Sequence, residues 1–424
     1  MHNTNLKKRV STGVGGTALL LMSAPLMFGA QSVIMAPPST TDTTPSWSEQ
    51  ESTNNEMQVF IPATDFRRST DEPFAYGPFV LRPHVNYNFV YGTGLQSSVG
   101  TPQNSTIQTI APGMSLDMGQ HWSADYSPSL VYYSNKNLGN SVNQSASLNG
   151  ATRYGDWNFG LSQTYTLATA LLAETAQETK QEEYVTSLNA GYNISDRWAA
   201  TFNVTQDILN NSGFNSSKTW STSEGLNYTF WTRLTVGATV GAGYVDLTQN
   251  GNQQYQTYQG SVNWRATDKL SFSLGGGFEE QEFATAGEAN ALNPIFNAAI
   301  QYLPFQYTQL SLNASRTINT SDLYILANSQ ITTVVSVTLS QRLLEKFYLN
   351  LSLNYDQSDF SQSVENFSLS ARTDNAYTFN AVLSHSFLKR GTIGLTYQYT
   401  ENTSNTKGFG YNSSQVGINV GFNY

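Results

Sequence analysis

The chain has no cysteine, few charged residues and no long apolar run beyond its N-terminal region. Without cysteine, none of its 424 residues can form a disulfide. Charged residues make up 12% of the chain, against about 25% in an ordinary soluble domain. The mean hydropathy is nevertheless negative, at −0.35. A helical membrane protein requires runs of about 20 apolar residues, so their absence after residue 32 excludes that class.

Aromatic and uncharged polar residues are abundant instead. The chain contains 24 Tyr, 22 Phe, 7 Trp and 32 Gly in a background of Ser, Thr, Asn and Gln. Disordered chains are poor in aromatic residues, so disorder does not explain the low charge. The net charge of −9 is not that of a nucleic-acid-binding protein, which needs a basic patch. This composition indicates an all-β protein with no nucleic-acid partner.

The N-terminus has the pattern of an export signal. Lys7, Lys8 and Arg9 precede an apolar stretch over 13–30, and small residues follow at a spacing suited to cleavage. We therefore predict a signal peptide over residues 1–32; a short membrane anchor is the alternative. Residues 33–78 are rich in Pro, Ser and Thr and lack periodicity, which predicts a flexible N-terminal segment.

From residue 79 to residue 424, apolar and polar residues alternate. The segments 347–356 and 392–400 show this most clearly, and a period of two indicates β-strands with one apolar and one polar face. Eight short turns alternate with nine longer polar connections, which predicts 18 strands. This is the pattern of an antiparallel up-and-down transmembrane β-barrel. A sheet in lipid must close because lipid cannot satisfy free backbone groups.

Other β architectures fit less well. A β-propeller would place four short strands in each repeat, whereas each repeat here holds two strands long enough for a tilted bilayer crossing. A sandwich would need a second sheet to cover the apolar faces. Pro83, Pro112 and Pro128 fall inside the first three strands, and each removes a ladder donor. A barrel of 16 strands therefore remains an alternative.

Aromatic residues mark the short-turn ends of the strands and the C-terminus of the chain. Five tryptophans lie beside the short turns, as in an aromatic girdle: Trp122, Trp157, Trp198, Trp231 and Trp264. The last strand alternates up to the terminal Tyr424. It resembles the final strand of bacterial outer-membrane barrels, which the barrel assembly machinery recognises.

Within that group the chain resembles the family described as putative β-barrel porin 2. The resemblance rests on Arg372-Thr373-Asp374 and on Tyr397-Gln398-Tyr399, followed by the aromatic terminal strand. It implies a Gram-negative cell outer membrane as the location and membrane lipid as a partner. Some members of this family are linked to exopolysaccharide export, which the resemblance adds as an alternative function.

A barrel of this size leaves an aqueous channel, so we predict a porin-like passive channel for small polar solutes or ions. A structural or adhesive surface barrel with a closed lumen is the other alternative. Six charged residues in the lumen register are candidates for pore lining: Arg82, Asp117, Asp125, Asp207, Arg233 and Arg265. The transported solute and the oligomeric state stay open, with a homo-oligomer as one option.

The third long connection, 168–183, is rich in Ala, Leu, Glu and Gln, which predicts a helix. By its position it resembles the loop that diffusion porins fold into the barrel. We expect an acidic constriction that favours cations or neutral solutes, and a solvated external helix is the alternative. The candidate residues are Glu174, Glu178, Glu182 and Glu183.

The sequence offers little for catalysis. His84 is the only histidine in a lumen register, and no histidine falls in the outer half to pair with a serine nucleophile. We find no metal-ligand spacing, no cysteine and no phosphate-binding loop in the mature chain. We therefore expect no enzymatic activity, no catalytic residue, no metal and no cofactor.

Overall fold

The computed structural model describes residues 74–96, 100–172, 177–248, 251–283, 290–320, 329–344, 346–361, 372–388 and 390–423. The expected signal peptide and residues 33–73 of the expected flexible segment lie outside this range. In the described residues no helix is long and apolar enough to cross a membrane.

The described chain is almost entirely β-strand. The strands are β1 (Ala75–Tyr76), β2 (Phe79–Gln96), β3 (Pro102–Met118), β4 (Trp122–Tyr133), β5 (Ser141–Tyr154), β6 (Trp157–Leu172), β7 (Gln177–Asn193), β8 (Trp198–Asn211), β9 (Ser217–Trp231), β10 (Leu234–Leu247), β11 (Gly251–Thr267), β12 (Leu270–Phe283), β13 (Ala291–Phe305), β14 (Thr308–Thr320), β15 (Ser329–Leu343), β16 (Phe347–Ser361), β17 (Arg372–Phe387), β18 (Gly391–Ser404) and β19 (Tyr411–Asn423).

The strands from β2 to β19 form a closed antiparallel barrel. Each pairs with its neighbours in sequence, and β19 closes the ring by pairing with β2, for example Ile418 opposite Phe89. Closure leaves no sheet edge, which is what lipid demands. The two-residue β1 only extends the pairing of β2. The barrel therefore has 18 strands as predicted, and the 16-strand alternative is wrong.

The two faces of the wall differ as the alternation predicts. In β19, Val416, Ile418 and Phe422 are exposed on the outer face, whereas Gln415 and Asn419 are buried on the inner face. Successive residues of a strand point to opposite sides, so the same division recurs around the ring. The outer face is mainly apolar and the inner face is mainly polar.

Aromatic side chains mark both ends of the outer face. The five predicted girdle tryptophans lie at or near strand ends beside the short turns. Toward the long connections, outward tyrosines bond to polar side chains, as Tyr184 does to Glu182 at 2.9 Å and Tyr399 to Glu401 at 3.2 Å. Amphipathic rings favour membrane interfaces, so the two belts suit a wall that crosses a bilayer.

The three prolines lie in β2, β3 and β4. The β3–β4 ladder is interrupted between the Ile110–Leu130 and Met114–Tyr126 pairs and keeps one register across the gap. By that register Pro112 and Pro128 occupy facing positions in the gap, and neither has an N–H to donate. We call residues 111–113 and 127–129 the proline seam. Pro112 and Pro128 thus interrupt the β3–β4 pairing locally, Pro83 stays within the β2–β3 ladder, and no strand is removed from the barrel.

Candidate functional site

The barrel interior is the candidate site because the inner face gathers the polar side chains. Uncharged Asn, Gln, Ser and Thr dominate it, and many are buried against their neighbours, as Asn88, Thr201 and Gln415 are. Amide and hydroxyl groups both donate and accept hydrogen bonds. Such a lining suits water and neutral polar solutes, and the few charged groups stand out against it.

Arg82 and Asp117, two predicted pore-lining residues, form an ion pair between β2 and β3. Their side chains are 36% and 35% exposed. A pair this exposed adds only about 0–1 kcal/mol to stability. Because the charges cancel, the pair adds no net charge to the interior.

Asp125 on β4 is the centre of a polar network. It accepts hydrogen bonds from Ser115 Oγ at 2.6 Å and Ser127 Oγ at 2.8 Å, and His84 Nε2 lies 3.0 Å from Ser127 Oγ. An ionised carboxylate only accepts, so the Ser127 hydroxyl points to Asp125 and His84 donates to Ser127. Ser127 is therefore not arranged as a nucleophile that His84 activates.

Asp207 on β8 belongs to an acidic patch, which we define as Glu183, Asp207 and Glu279. Glu183 on β7 lies close enough to repel Asp207. Asp207 Oδ1 is buried and has no hydrogen-bond partner among the described residues. Glu279 on β12 is buried and accepts a 3.0 Å hydrogen bond from Gln281 Nε2. These carboxylates make the inner surface of β7–β12 negative in the half of the barrel nearer the long connections.

Tyr255 on β11 spans the space between the two ends of the acidic patch. Its hydroxyl lies near Ser221 on β9. Its ring lies across Gly243, where an added Cβ would be only 2.1 Å from Tyr255 Cζ. Glycine at this position thus allows the ring to lie along the wall.

Arg233 and Arg265, the last two predicted pore-lining residues, lie at the short-turn end. Arg233 lies in the turn immediately before β10 and pairs with Asp268 at 2.9 Å. Arg265 is exposed near the end of β11. Further basic residues share this end: Arg153, Arg197, Lys269, Arg342, Lys346 and Arg390. The barrel is therefore basic at the short-turn end, and its interior is acidic in the half nearer the long connections.

The predicted helix over 168–183 is wrong. Residues 168–172 belong to β6 and 177–183 to β7, joined by a short connection outside the described residues. Pairing across the wall, from Trp157–Tyr192 to Leu172–Gln177, overrides the helical propensity of the Ala and Leu residues. No constriction helix therefore forms from these strands.

The four glutamates predicted for the constriction lie in different places. Glu174 lies outside the described residues, and Glu178 is on β7 with an undescribed side chain. Glu182 faces outward and accepts hydrogen bonds from two tyrosine hydroxyls. Only Glu183 faces the interior, as part of the acidic patch.

A different connection, 134–140, covers part of the interior. Leu138 is 4% exposed and packs in an apolar cluster on the inner face. We call this the interior apolar cluster: Val90, Leu95, Ile107, Val131, Leu138 and Tyr411. Asn135 anchors the connection through Nδ2, which donates to Gln103 Oε1 at 3.0 Å. The connection therefore folds toward the inner wall.

The sequence carries a signal for this cover. Val90, Ile107 and Val131 are apolar residues in a register that is otherwise polar. Apolar side chains facing water in three consecutive strands require a cover, since their burial is favourable. Leu138, flanked by Asn, Lys and Gly, is the apolar residue of the adjoining connection.

The solved structures to which this chain is similar share little sequence with it. The siderophore receptor PirA from Pseudomonas aeruginosa is 10% identical, with 81% of this chain and 80% of that chain covered and a TM-score of 0.42. OccAB3 and OccAB4 from Acinetobacter baumannii are 10% and 11% identical, each with 81% of this chain covered and a TM-score of 0.45. The coverage of those chains is 99% and 98%.

Curated protein sequences gave no match. A family match covers the C-terminal part, which contains β11 to β19 and the motifs on which the sequence resemblance rests. Residues 244–424 match the family described as "Putative beta-barrel porin 2", which confirms the resemblance predicted from the sequence.

Proposed function

We propose that the protein is a porin-like channel for passive diffusion of small polar solutes and ions. The observation that carries the proposal is the closed 18-strand wall with a polar inner face. Barrels with 16 to 18 strands are wide enough for an aqueous channel. All described strands belong to the wall, so within those residues no strand or helix crosses the interior.

The charged side chains favour cations over anions in the half of the interior that lies nearer the long connections. Glu183, Asp207 and Glu279 line one side, whereas Arg82 and Asp117 cancel each other. Rings or patches of carboxylates attract cations in channels. Arg265 and its basic neighbours at the short-turn end oppose this preference, so the expected selectivity is modest.

We place the barrel in the outer membrane, with lipid against its outer face. The two aromatic belts and the exposed apolar residues between them support this placement. We also propose that the barrel assembly machinery inserts the chain through β19, whose alternating residues end at the aromatic terminus.

Planar-bilayer recording tests the channel directly. Purified protein added to a bilayer in a KCl gradient should give discrete conductance steps and a reversal potential on the cation side. The interior apolar cluster favours a second candidate, a structural barrel with a closed lumen. Correctly folded protein that inserts without conductance would reject the channel and support that candidate.

A further inference from the structure

A second polar site lies on the inner wall across β16 to β19, outside the acidic patch. A small pocket with room for about one water-sized group is lined there by Asp356, Asp374, Ala376, Asn402 and Tyr411 among others. Asp356, Ala376, Asn402 and Tyr411 form one row across the four strands. Ala376 is the small residue between the longer side chains, so its methyl group forms the floor.

Asp374 is already neutralised by Arg372. The Arg372 Nε lies 3.0 Å from both carboxylate oxygens, and Arg372 Nη2 also bonds to Asp374. The guanidinium in turn lies over the Phe409 ring, 3.7 Å from its centroid, and over Phe360. The Arg-Thr-Asp motif of the sequence thus builds one wall of the pocket.

Three of the remaining polar groups of the pocket, on Asp356, Asn402 and Tyr411, can accept hydrogen bonds. Asp356 accepts a 3.2 Å bond from Ser358 Oγ on one oxygen and keeps further acceptor capacity. Asn402 Nδ2 donates to the Phe409 carbonyl at 2.9 Å. This bond fixes the orientation of the amide and leaves Asn402 Oδ1 as an acceptor.

Tyr411 provides the observation that points to a ligand. Its side chain lines the pocket, is 9% exposed, and its hydroxyl has no hydrogen-bond partner among the described residues. A buried polar group without a partner is costly. A bound donor group would hydrogen-bond the hydroxyl oxygen and reduce this cost.

We propose that this pocket binds the primary ammonium group of a small solute. Such a group has three N–H donors and one positive charge, and the pocket offers three acceptors: the Asp356 carboxylate, Asn402 Oδ1 and the Tyr411 hydroxyl oxygen. With Asp374 and Arg372 paired, Asp356 leaves one net negative charge. The ligand therefore matches the site in donor number and in charge, whether or not the barrel conducts.

Methylammonium is the probe, and the full folded barrel in detergent is the sample. Saturation-transfer NMR with ¹³C-methylammonium measures weak binding without any transport. Tyr411→Phe removes the hydroxyl oxygen that would accept a hydrogen bond from the charged ammonium group. The variant should therefore bind methylammonium about 10-fold more weakly. Asp356→Asn removes the charge and should weaken it at least as much.

Two matched controls face the other side of the same wall. Tyr399→Phe and Asp359→Asn make the same chemical changes on β18 and β16 at positions that point outward, and both should bind methylammonium like the unchanged protein. Ala376→Leu keeps all three acceptors but fills the floor, so it should abolish binding. It also keeps the test decisive if Tyr411→Phe fails to fold, as judged by the β-sheet circular dichroism spectrum.

Competition separates the sources of a cationic signal. Tetramethylammonium has no N–H donor and should displace methylammonium poorly, and KCl at equal concentration should also displace it poorly. If tetramethylammonium displaced methylammonium equally well, the binding would need only a positive charge and no N–H donor. That result would overturn the proposal. Equal displacement by K⁺ would assign an alkali-metal site instead, and unchanged binding in folded Tyr411→Phe and Ala376→Leu would place the ligand elsewhere.

Discussion

Glu182 and Glu183 are neighbours in the chain but lie on opposite sides of the barrel wall. Glu182 accepts a hydrogen bond from the outward Tyr165 hydroxyl at 3.2 Å and another from Tyr184. Glu183 faces the interior near Asp207. Because successive strand residues alternate, one carboxylate stabilises the aromatic belt and the other contributes to the field inside the barrel.

Neutralising the inner carboxylates should reduce cation preference. The double variant Glu183→Gln and Asp207→Asn removes two of the three carboxylates of the acidic patch, so the K⁺ to Cl⁻ permeability ratio should fall about two-fold or more. Reversal potentials in a KCl gradient measure this ratio.

Glu182→Gln is the matched control, since it makes the same change one residue away on the outer face. Its permeability ratio should equal that of the unchanged protein. An equal fall in Glu182→Gln would show that the effect comes from overall charge and not from the interior position of Glu183.

Leu138 should hold the connection 134–140 against the inner wall. Leu138→Ala removes most of a buried side chain that is worth roughly 2 kcal/mol. The connection should then open more often, and trypsin should cleave after the exposed Lys136 about 10-fold faster or more, because cleavage follows the open population. Timed proteolysis with mass spectrometry measures the rate.

Leu344→Ala is the control for this change. Leu344 lies in the turn after β15 and is 86% exposed, so its removal should leave the cleavage rate at Lys136 unchanged. A rate in Leu138→Ala equal to that of the control would mean that Asn135 and its hydrogen bonds hold the connection without help from Leu138.

The strand count and the two faces could be predicted because apolar and polar residues alternate along each strand, as the apolar Leu349, Leu351 and Leu353 show. The interior could be predicted only in part. The alternation predicts a lumen position for both Arg82 and Asp117, but their pairing depends on the β2–β3 register between residues far apart in sequence. Helical propensity misled at 168–183 because strand pairing around the ring outweighs local preference.

The proline seam should be the part of the wall that exchanges amide hydrogens fastest. Ladder bonds protect amides, and at 111–113 and 127–129 β3 and β4 lose the bonds to each other while each keeps its pairing on the other side. Loss of a bond worth about 1 kcal/mol predicts exchange several-fold faster. The β15–β16 ladder, which is continuous from Ser329–Ser361 to Leu343–Phe347, is the internal reference. Hydrogen exchange with mass spectrometry in detergent measures both, and equal protection would contradict an interrupted ladder.

The short-turn tryptophans should lie at a membrane interface. Trp198 begins β8 on the outer face, so in a variant that keeps only this tryptophan, lipids brominated near the headgroup should quench fluorescence more strongly than lipids brominated near the chain end. Leu353 is exposed midway along β16. A control with Leu353→Trp as its single tryptophan should show the reverse order, because the middle of a crossing strand lies at the bilayer centre. The same quenching profile for both positions would reject the proposed orientation of the wall across the bilayer.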